Sequence, residues 1–568
     1  MCPTGCTCRQ SDKGRRRVSC PKGGMLDPIP IQDMSPDMEV LDISAPADNW
    51  NKLTLGPLFQ NFKSLQELHI TRSNILQIGM HAFWGVPSLQ VLNLSFNNIT
   101  AVFDHNFRGL VNLIELYLND NRIHKLPMGS FKHLSELRVL NLERNQIADL
   151  VPRLFVKLSK LEVLKLSFNP VLELNPEVFK DIPELRVLQC RGCGLRRINT
   201  QIYHLLPYLS HLDLGNNRMQ FVEADEFVDL HRLRVLRMDG NQLPVVLEKT
   251  FVNNVHLRSL CLARNRLAKV TNEAFLNLTN LVELDISYNK LDKLEGESLQ
   301  PVADKLQKLL ISGNLFGLPV IRTALQIASK VNDLGLADMK IAEIPAGLLP
   351  DHIQRLNLSG NYLSNVSLQM LPLQLVALDI SRNKLRGLKE HVIMRLEELE
   401  EVRLENNSWS CDLCHISPML FRANQSRVLK GVKCATPASL KGRLLSSLSY
   451  EEVKVCDEGR SSQSEFATFV KNKLALIIGG SGLLLFLIFC ILFVVISCIR
   501  RHSMHNRNQV IKDKEDIRLD TAAAIFVGSK NEITFKFPLD LTERKVSVST
   551  IDEMKKDTLR TLPNGTGI

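Results

Sequence analysis

The chain repeats itself every 24 residues. Leu65, Leu68, Ile70 and Ile75 return as Leu89, Leu92, Leu94 and Ile99, then as Leu113, Leu116, Leu118 and Ile123, with Asn97 and Asn121 at one fixed place. The step holds through Leu137, Leu161, Leu185, Leu209, Leu233, Leu257 and Leu281. Apolar residues at alternate positions predict a short strand with one face turned inward. The asparagine that follows can bond backbone groups freed where the chain leaves the strand. A single coil of this kind cannot bury its apolar edge, whereas a stack buries it between neighbours. Growth by addition also lifts the size limit that a single compact core would set on 568 residues.

The pattern LxxLxLxxNxL is identified as the leucine-rich repeat. It predicts an α/β solenoid with a curved parallel sheet on the concave side. Sixteen coils run from Met38 to Leu399, with steps of 25 at Leu306 and Val331 and of 22 at Ile353 and Leu375. Phe83, Phe107, Phe131, Phe155, Phe179, Phe227, Phe251 and Phe275 keep the same register on the far side and read as core spacers.

Eight cysteines gather at the two ends of the repeats: Cys2, Cys6, Cys8 and Cys20, then Cys411, Cys414, Cys434 and Cys456. Even-numbered clusters there read as disulfides sealing the open apolar ends, which implies an oxidising compartment. Cys411, Cys414 and His415 also spell CxxCH, formally a haem-attachment motif and the start of many zinc sites. The second CxxC of a zinc site is missing, so the paired-disulfide reading is preferred and no cofactor or metal is assigned. Cys190 and Cys193 take a leucine and an asparagine position and are expected to be buried, whereas Cys261 is expected to point outward from the inner sheet as an exposed thiol.

Residues 474–499 carry no charge, long enough for one membrane-spanning helix. Arg500, Arg501, Arg507, Lys512 and Lys514 follow it, against Lys471 and Lys473 before it, which places the repeats outside the plasma membrane and the C-terminus in the cytosol. The expected layout is a cap at 1–36, repeats at 37–407, a second cap at 408–457, a stalk at 458–473, the span at 474–499 and a cytoplasmic tail at 500–568. No apolar signal peptide precedes Cys2, so the natural N-terminus with its signal is expected to lie outside this sequence. Seven N-glycosylation sequons fall before the span, at Asn93, Asn98, Asn277, Asn357, Asn365, Asn406 and Asn424.

Function on such a solenoid is expected on outward positions of the inner sheet. The middle coils collect Arg138, Arg144, Arg186, Arg191, Arg234, Arg237, Arg258 and Arg264 there, interspersed with Glu143, Glu162, Asp213 and Asp239. Of these, Arg138, Arg186, Arg191, Arg234, Arg237 and Arg258 are the candidate ligand contacts, because a guanidinium captures carboxylate or sulfate in two-pronged fashion. The bland alternative is a solvated mixed-charge face. Phe96, Tyr117, Phe168 and Tyr288 are candidate aromatic anchors on the same wall. Glycans at Asn93 and Asn357 would shield the two ends and leave the centre open. No phosphate loop, HExxH or GxSxG element is present, and the chain is read as a non-enzyme. The net charge of +10 with 45% apolar residues does not point to nucleic acid.

The 69-residue tail contains no tyrosine and is too short for a kinase or a Toll-type signalling domain. Its last residues, Thr566, Gly567 and Ile568, resemble a class I PDZ ligand, in which Ile568 fills an apolar pocket and the Thr566 hydroxyl is read by the partner.

Residues 2–457 resemble the extracellular leucine-rich repeat family with cysteine-rich flanks, on CPTGCTC through Cys20, the repeated LxxLxLxxN, and NNSWSCDLC through Cys434 and Cys456. The resemblance implies pairing of Cys2 with Cys8, Cys6 with Cys20, Cys411 with Cys434 and Cys414 with Cys456. CDLC carries one residue more than the commoner CxC of that family. One span and a short tail make the layout similar to adhesion receptors of the arthropod Capricious/Tartan type. That implies recognition of an extracellular or cell-surface protein, heterophilic or homophilic, with scaffold coupling inside; the alternative is an innate immune or Toll-like co-receptor.

Overall fold

The computed structural model describes residues 2–10, 14–294 and 296–455. The candidate span at 474–499, Cys456, and the tail with Thr566 and Ile568 lie outside the described residues. Among the described residues no helix is long and apolar enough to cross a membrane.

One strand per coil, from Val40–Ser44 to Glu401–Arg403, pairs in parallel with the next. Most strands have only three residues, because one inward leucine flanked by two outward positions is all that each coil contributes. Leu188, Leu212, Leu236, Leu260 and Leu284 lie side by side in the ladder and are buried. The uneven steps are absorbed in register: Glu283 pairs with Lys308, Lys308 with Asp333, and Asp333 with Arg355. The longer coil accommodates the helix Leu318–Ile327 on its outer side, whereas most other coils cross there in turns. At the N-terminal end the hairpin of Thr7–Gln10 and Arg16–Ser19 joins the sheet beside Val40–Ser44.

The asparagines form a ladder inside the stack. The Asn241 amide nitrogen donates to the carbonyls of Leu214 at 2.9 Å and Met238 at 3.0 Å, while its oxygen accepts from the Met219 N–H at 3.0 Å. Asn121, Asn145, Asn217, Asn265, Asn289 and Asn361 repeat the arrangement. Cys193 and Met339 occupy the ladder position in two coils and interrupt it. On the far side the phenylalanines stack, with ring centroids 6.5 Å apart for Phe83 and Phe107 and 6.0 Å for Phe107 and Phe131. Tyr203 fills the one place in this series that lacks phenylalanine, and lies 5.9 Å from Phe227.

Between the strand and the ladder residue, every coil from Arg72 to Asn406 has one residue at positive φ. The left-handed turn reverses the chain in a minimum of residues and aligns these side chains in a column along one edge of the wall. Gly192 and Gly313 are required there: a Cβ would lie 2.8 Å from the Phe168 ring and 2.4 Å from the Tyr288 ring. Three disulfides are formed at the ends, Cys2–Cys8, Cys6–Cys20 and Cys411–Cys434, and Cys414 is also disulfide-bonded. A bridged Cys411 cannot attach haem through its sulfur. Among the described residues no group of side chains could hold a metal ion.

Candidate recognition surface

Outward positions of adjacent strands form rows across the concave wall. One row reads Gln189, Asp213, Arg237, Cys261 and Asp285. The next reads Val187, His211, Val235, Ser259 and Glu283. Arg138, Arg186, Arg234 and Arg258 each stand one residue before a strand and make a third row at its leading edge. The 24-residue period therefore decides which charges meet, more than their order in the sequence does.

The candidate arginines divide into three groups. Arg138 and Arg186 flank Glu162, at 2.5 and 3.8 Å, so much of their charge is neutralised on the wall. Arg191 is built into the structure. Its Nε donates to Asp213 at 3.1 Å and its two terminal nitrogens to Asp239 at 2.9 and 2.6 Å, across the next two coils. The Asp239 hydrogen bond above all, and both aspartate charges, drive the Arg191 pKa further up. The guanidinium lies flat where a Cβ on Gly215 would come within 2.4 Å of it. Arg191 thus acts as an internal strut, with three of its donors held by two carboxylates. Arg234, Arg237 and Arg258 are exposed and have no ion pair within 4 Å among the described residues.

His211 lies within this third group, its Nδ1 2.8 Å from the Ser210 hydroxyl. Burial, and then the nearby Arg234 charge, lower its pKa below the ordinary value, so it is neutral at pH 7 and offers a hydrogen bond rather than a charge. A shallow depression lined by Gln189, His211, Asp213, Val235 and Arg237 opens there. The 24-residue offset of His211 from Val187 and Val235 places it on the wall. A second depression near Arg355 and Arg403 is charge-compensated by Asp333 and Glu401, and it contains the sequon residue Asn357.

Other expectations change in detail. Cys261 does face outward, but it is half-buried rather than exposed: its Sγ lies 3.5 Å from an Asp285 carboxylate oxygen, and burial followed by that charge pushes its pKa up to about 12. It is an inert thiol. Phe96, Phe168 and Tyr288 belong to the left-handed column at the edge of the wall, where Arg72, Arg144 and Arg264 stack over them at 4.7, 4.7 and 4.6 Å. Tyr117 stands on its strand and donates to Glu115 at 2.7 Å. Of the sequon asparagines, Asn277, Asn357, Asn365, Asn406 and Asn424 are exposed, while Asn93 and Asn98 are half-buried. Asn93 uses its carbonyl oxygen on the Ser95 N–H and hydroxyl, which leaves its nitrogen available.

Residues 63–123, 111–171, 183–243 and 255–316 match the leucine rich repeat family profile. A 115-residue stretch is 31% identical to Protein toll of Drosophila melanogaster, covering 19% of this chain and 10% of Toll. The chain therefore aligns with only about a tenth of that curated relative. Among solved structures, a leucine-rich repeat protein of Leptospira interrogans superposes with a TM-score of 0.51 at 24% identity, covering 62% of this chain and 90% of that one. Drosophila Toll in its glycosylated complex with Spatzle gives 0.50 at 23% identity over 74% of this chain and 59% of that one. These likenesses concern the fold. Repeat, asparagine ladder, parallel sheet and profile match together show a leucine-rich repeat fold, with the family profile matched within residues 63–316.

Proposed function

We propose that this protein is a single-pass cell-surface receptor whose repeats recognise an acidic extracellular or cell-surface protein on the concave wall. The observation that carries the reading is the contrast within one set of arginines: Arg138, Arg186 and Arg191 have carboxylates of the wall within 4 Å, whereas Arg234, Arg237 and Arg258 have none that close, Arg237 acting on Glu283 only at longer range. At strand spacings of about 4.8 Å, the patch lies roughly 30 to 35 Å from the strand of Asn93 and roughly 20 to 25 Å from that of Asn357, so glycans there leave it open. In this reading residues 474–499 cross the plasma membrane, 458–473 form a stalk, and the tail recruits a PDZ scaffold through Thr566 and Ile568. Adhesion of the Capricious/Tartan type is the favoured role, heterophilic or homophilic. The match to Toll favours a second reading, a Toll-like co-receptor that depends on a partner for signalling.

The test is a binding screen of the secreted repeats against cell-surface and secreted ectodomains, run in parallel with the variant Arg234→Glu, Arg237→Glu, Arg258→Glu. The reading expects hits weakened at least about tenfold by the variant and by added salt, with an unchanged melting temperature. Hits of equal strength from both proteins would remove the patch from recognition.

A further inference from the structure

Cys190 and Cys193 are the two departures from the repeat that fall in one coil. Cys190 takes the last inward position after the strand Val187–Gln189, and Cys193 the ladder position three residues on. Both are fully buried as free thiols three residues apart in one coil, and each is the largest influence on the other's titration, raising Cys190 and lowering Cys193. The Cys193 Sγ is also 3.4 Å from the Leu166 carbonyl, where an amide nitrogen sits in neighbouring coils. A thiol is a weak donor there and supplies no amide oxygen, so the ladder gains nothing from it. Gly192 and Gly194, both at positive φ, flank Cys193 and make this turn more pliable than its neighbours.

We propose that Cys190 and Cys193 close into a disulfide within the coil as the chain folds in an oxidising compartment. The inference rests on the extracellular reading above. Chemically it is thiol–disulfide exchange: one cysteine, as thiolate, attacks an oxidant protein's disulfide, and the other then displaces the oxidant from the mixed disulfide. One S–S bond forms here, and two electrons and two protons leave with the oxidant as its dithiol. The bridge spans Arg191, the strut to Asp213 and Asp239, and so fixes the turn from which that strut projects.

Trypsin cuts after Arg186, Arg191 and Arg196, which separates the two cysteines. Secreted full-length ectodomain is denatured in alkylating reagent without reductant, then digested and weighed. Residues 187–191 and 192–196 should be recovered as one linked pair, lighter by two hydrogens than the separate peptides. In the Cys193→Asn variant, which restores the ladder residue, Cys190 should become alkylated; a Cys190 still bridged elsewhere would overturn the pairing. In the parent protein, alkyl groups on both peptides beside intact Cys2–Cys8 and Cys6–Cys20 bridges would sink the inference and leave the extracellular reading standing. Alkylation at the caps as well would sink both.

Discussion

Glu226 occupies a position on the outer side of its coil that carries Ala82, Asn106, Ser130 or Thr250 in others. Asn106 and Ser130 bond inward to the carbonyls of Ile78 and Val102. Glu226 is buried with one carboxylate oxygen unpaired, and the hydroxyl of buried Tyr203 is unpaired too. Burial, with the like charges of Glu223 and Asp225, lifts the Glu226 pKa from 4.5 to about 7. The folded protein therefore holds this proton where the unfolded chain has released it. Stability should fall as pH rises from about 4.5 through 7, by at most about 3 kcal/mol, then level off. Glu226→Gln should flatten that slope in denaturant titrations, and an unchanged slope would exclude Glu226 as its source. Arg191 is a second residue whose partners decide its role. Arg191→Ala leaves two half-buried aspartates unpaired and is expected to lose about 2 kcal/mol. Arg191→Lys should rescue little of this, because an ammonium cannot fork to Asp239 while bonding Asp213. None of this was legible in the sequence, where Arg191 looks like any other wall arginine and Tyr203 drops out of a series defined by phenylalanine.

The coil is the element that the sequence specifies best. Periods of 2 and 24 place the inward leucines, the far-side phenylalanines and the asparagines without reference to distant parts of the chain, because every partner lies one coil away. Strand register follows the same count, including the 25- and 22-residue steps. The helix Leu318–Ile327 and the left-handed column were not legible, since the first depends on slack in a long coil and the second on a turn that Arg, Phe, Gly and Asp all occupy. The candidate patch was half legible: the arginines were visible as a group, but only row geometry shows that Glu162 neutralises two of them. Asn241→Ala should cost about 3 kcal/mol, because it removes two donor bonds and orphans the Met219 N–H. Hydrogen exchange should report the loss first at Met219 and in the two coils that Asn241 joins; uniform loosening along the stack would contradict a nearest-neighbour ladder.

At the scale of the whole molecule, the stack has two ends at which apolar surface would otherwise meet water. Trp409, Ile416 and Met419 are buried under the C-terminal cap beside Cys411 and Cys434. Cys434→Ser should destabilise that end by about 2 to 5 kcal/mol and cut secretion. Exchange should then spread inward from Leu404 while the coils near Leu92 remain protected; equal protection at both ends would mean that the cap does not seal the stack. The same additive construction has a metrical consequence. The asparagine hydrogen bonds of the ladder join each coil only to its neighbours, and the bonds that reach two coils away are side-chain contacts such as Arg191 to Asp239 and Tyr288 to Asp338, so the solenoid is graduated like a ruler. Excising residues 113–136 would remove one graduation and bring Asn93 about 5 Å nearer to Arg234 with every remaining register intact. The distance from Asn93 to Arg234 is, in this protein, a number counted in coils.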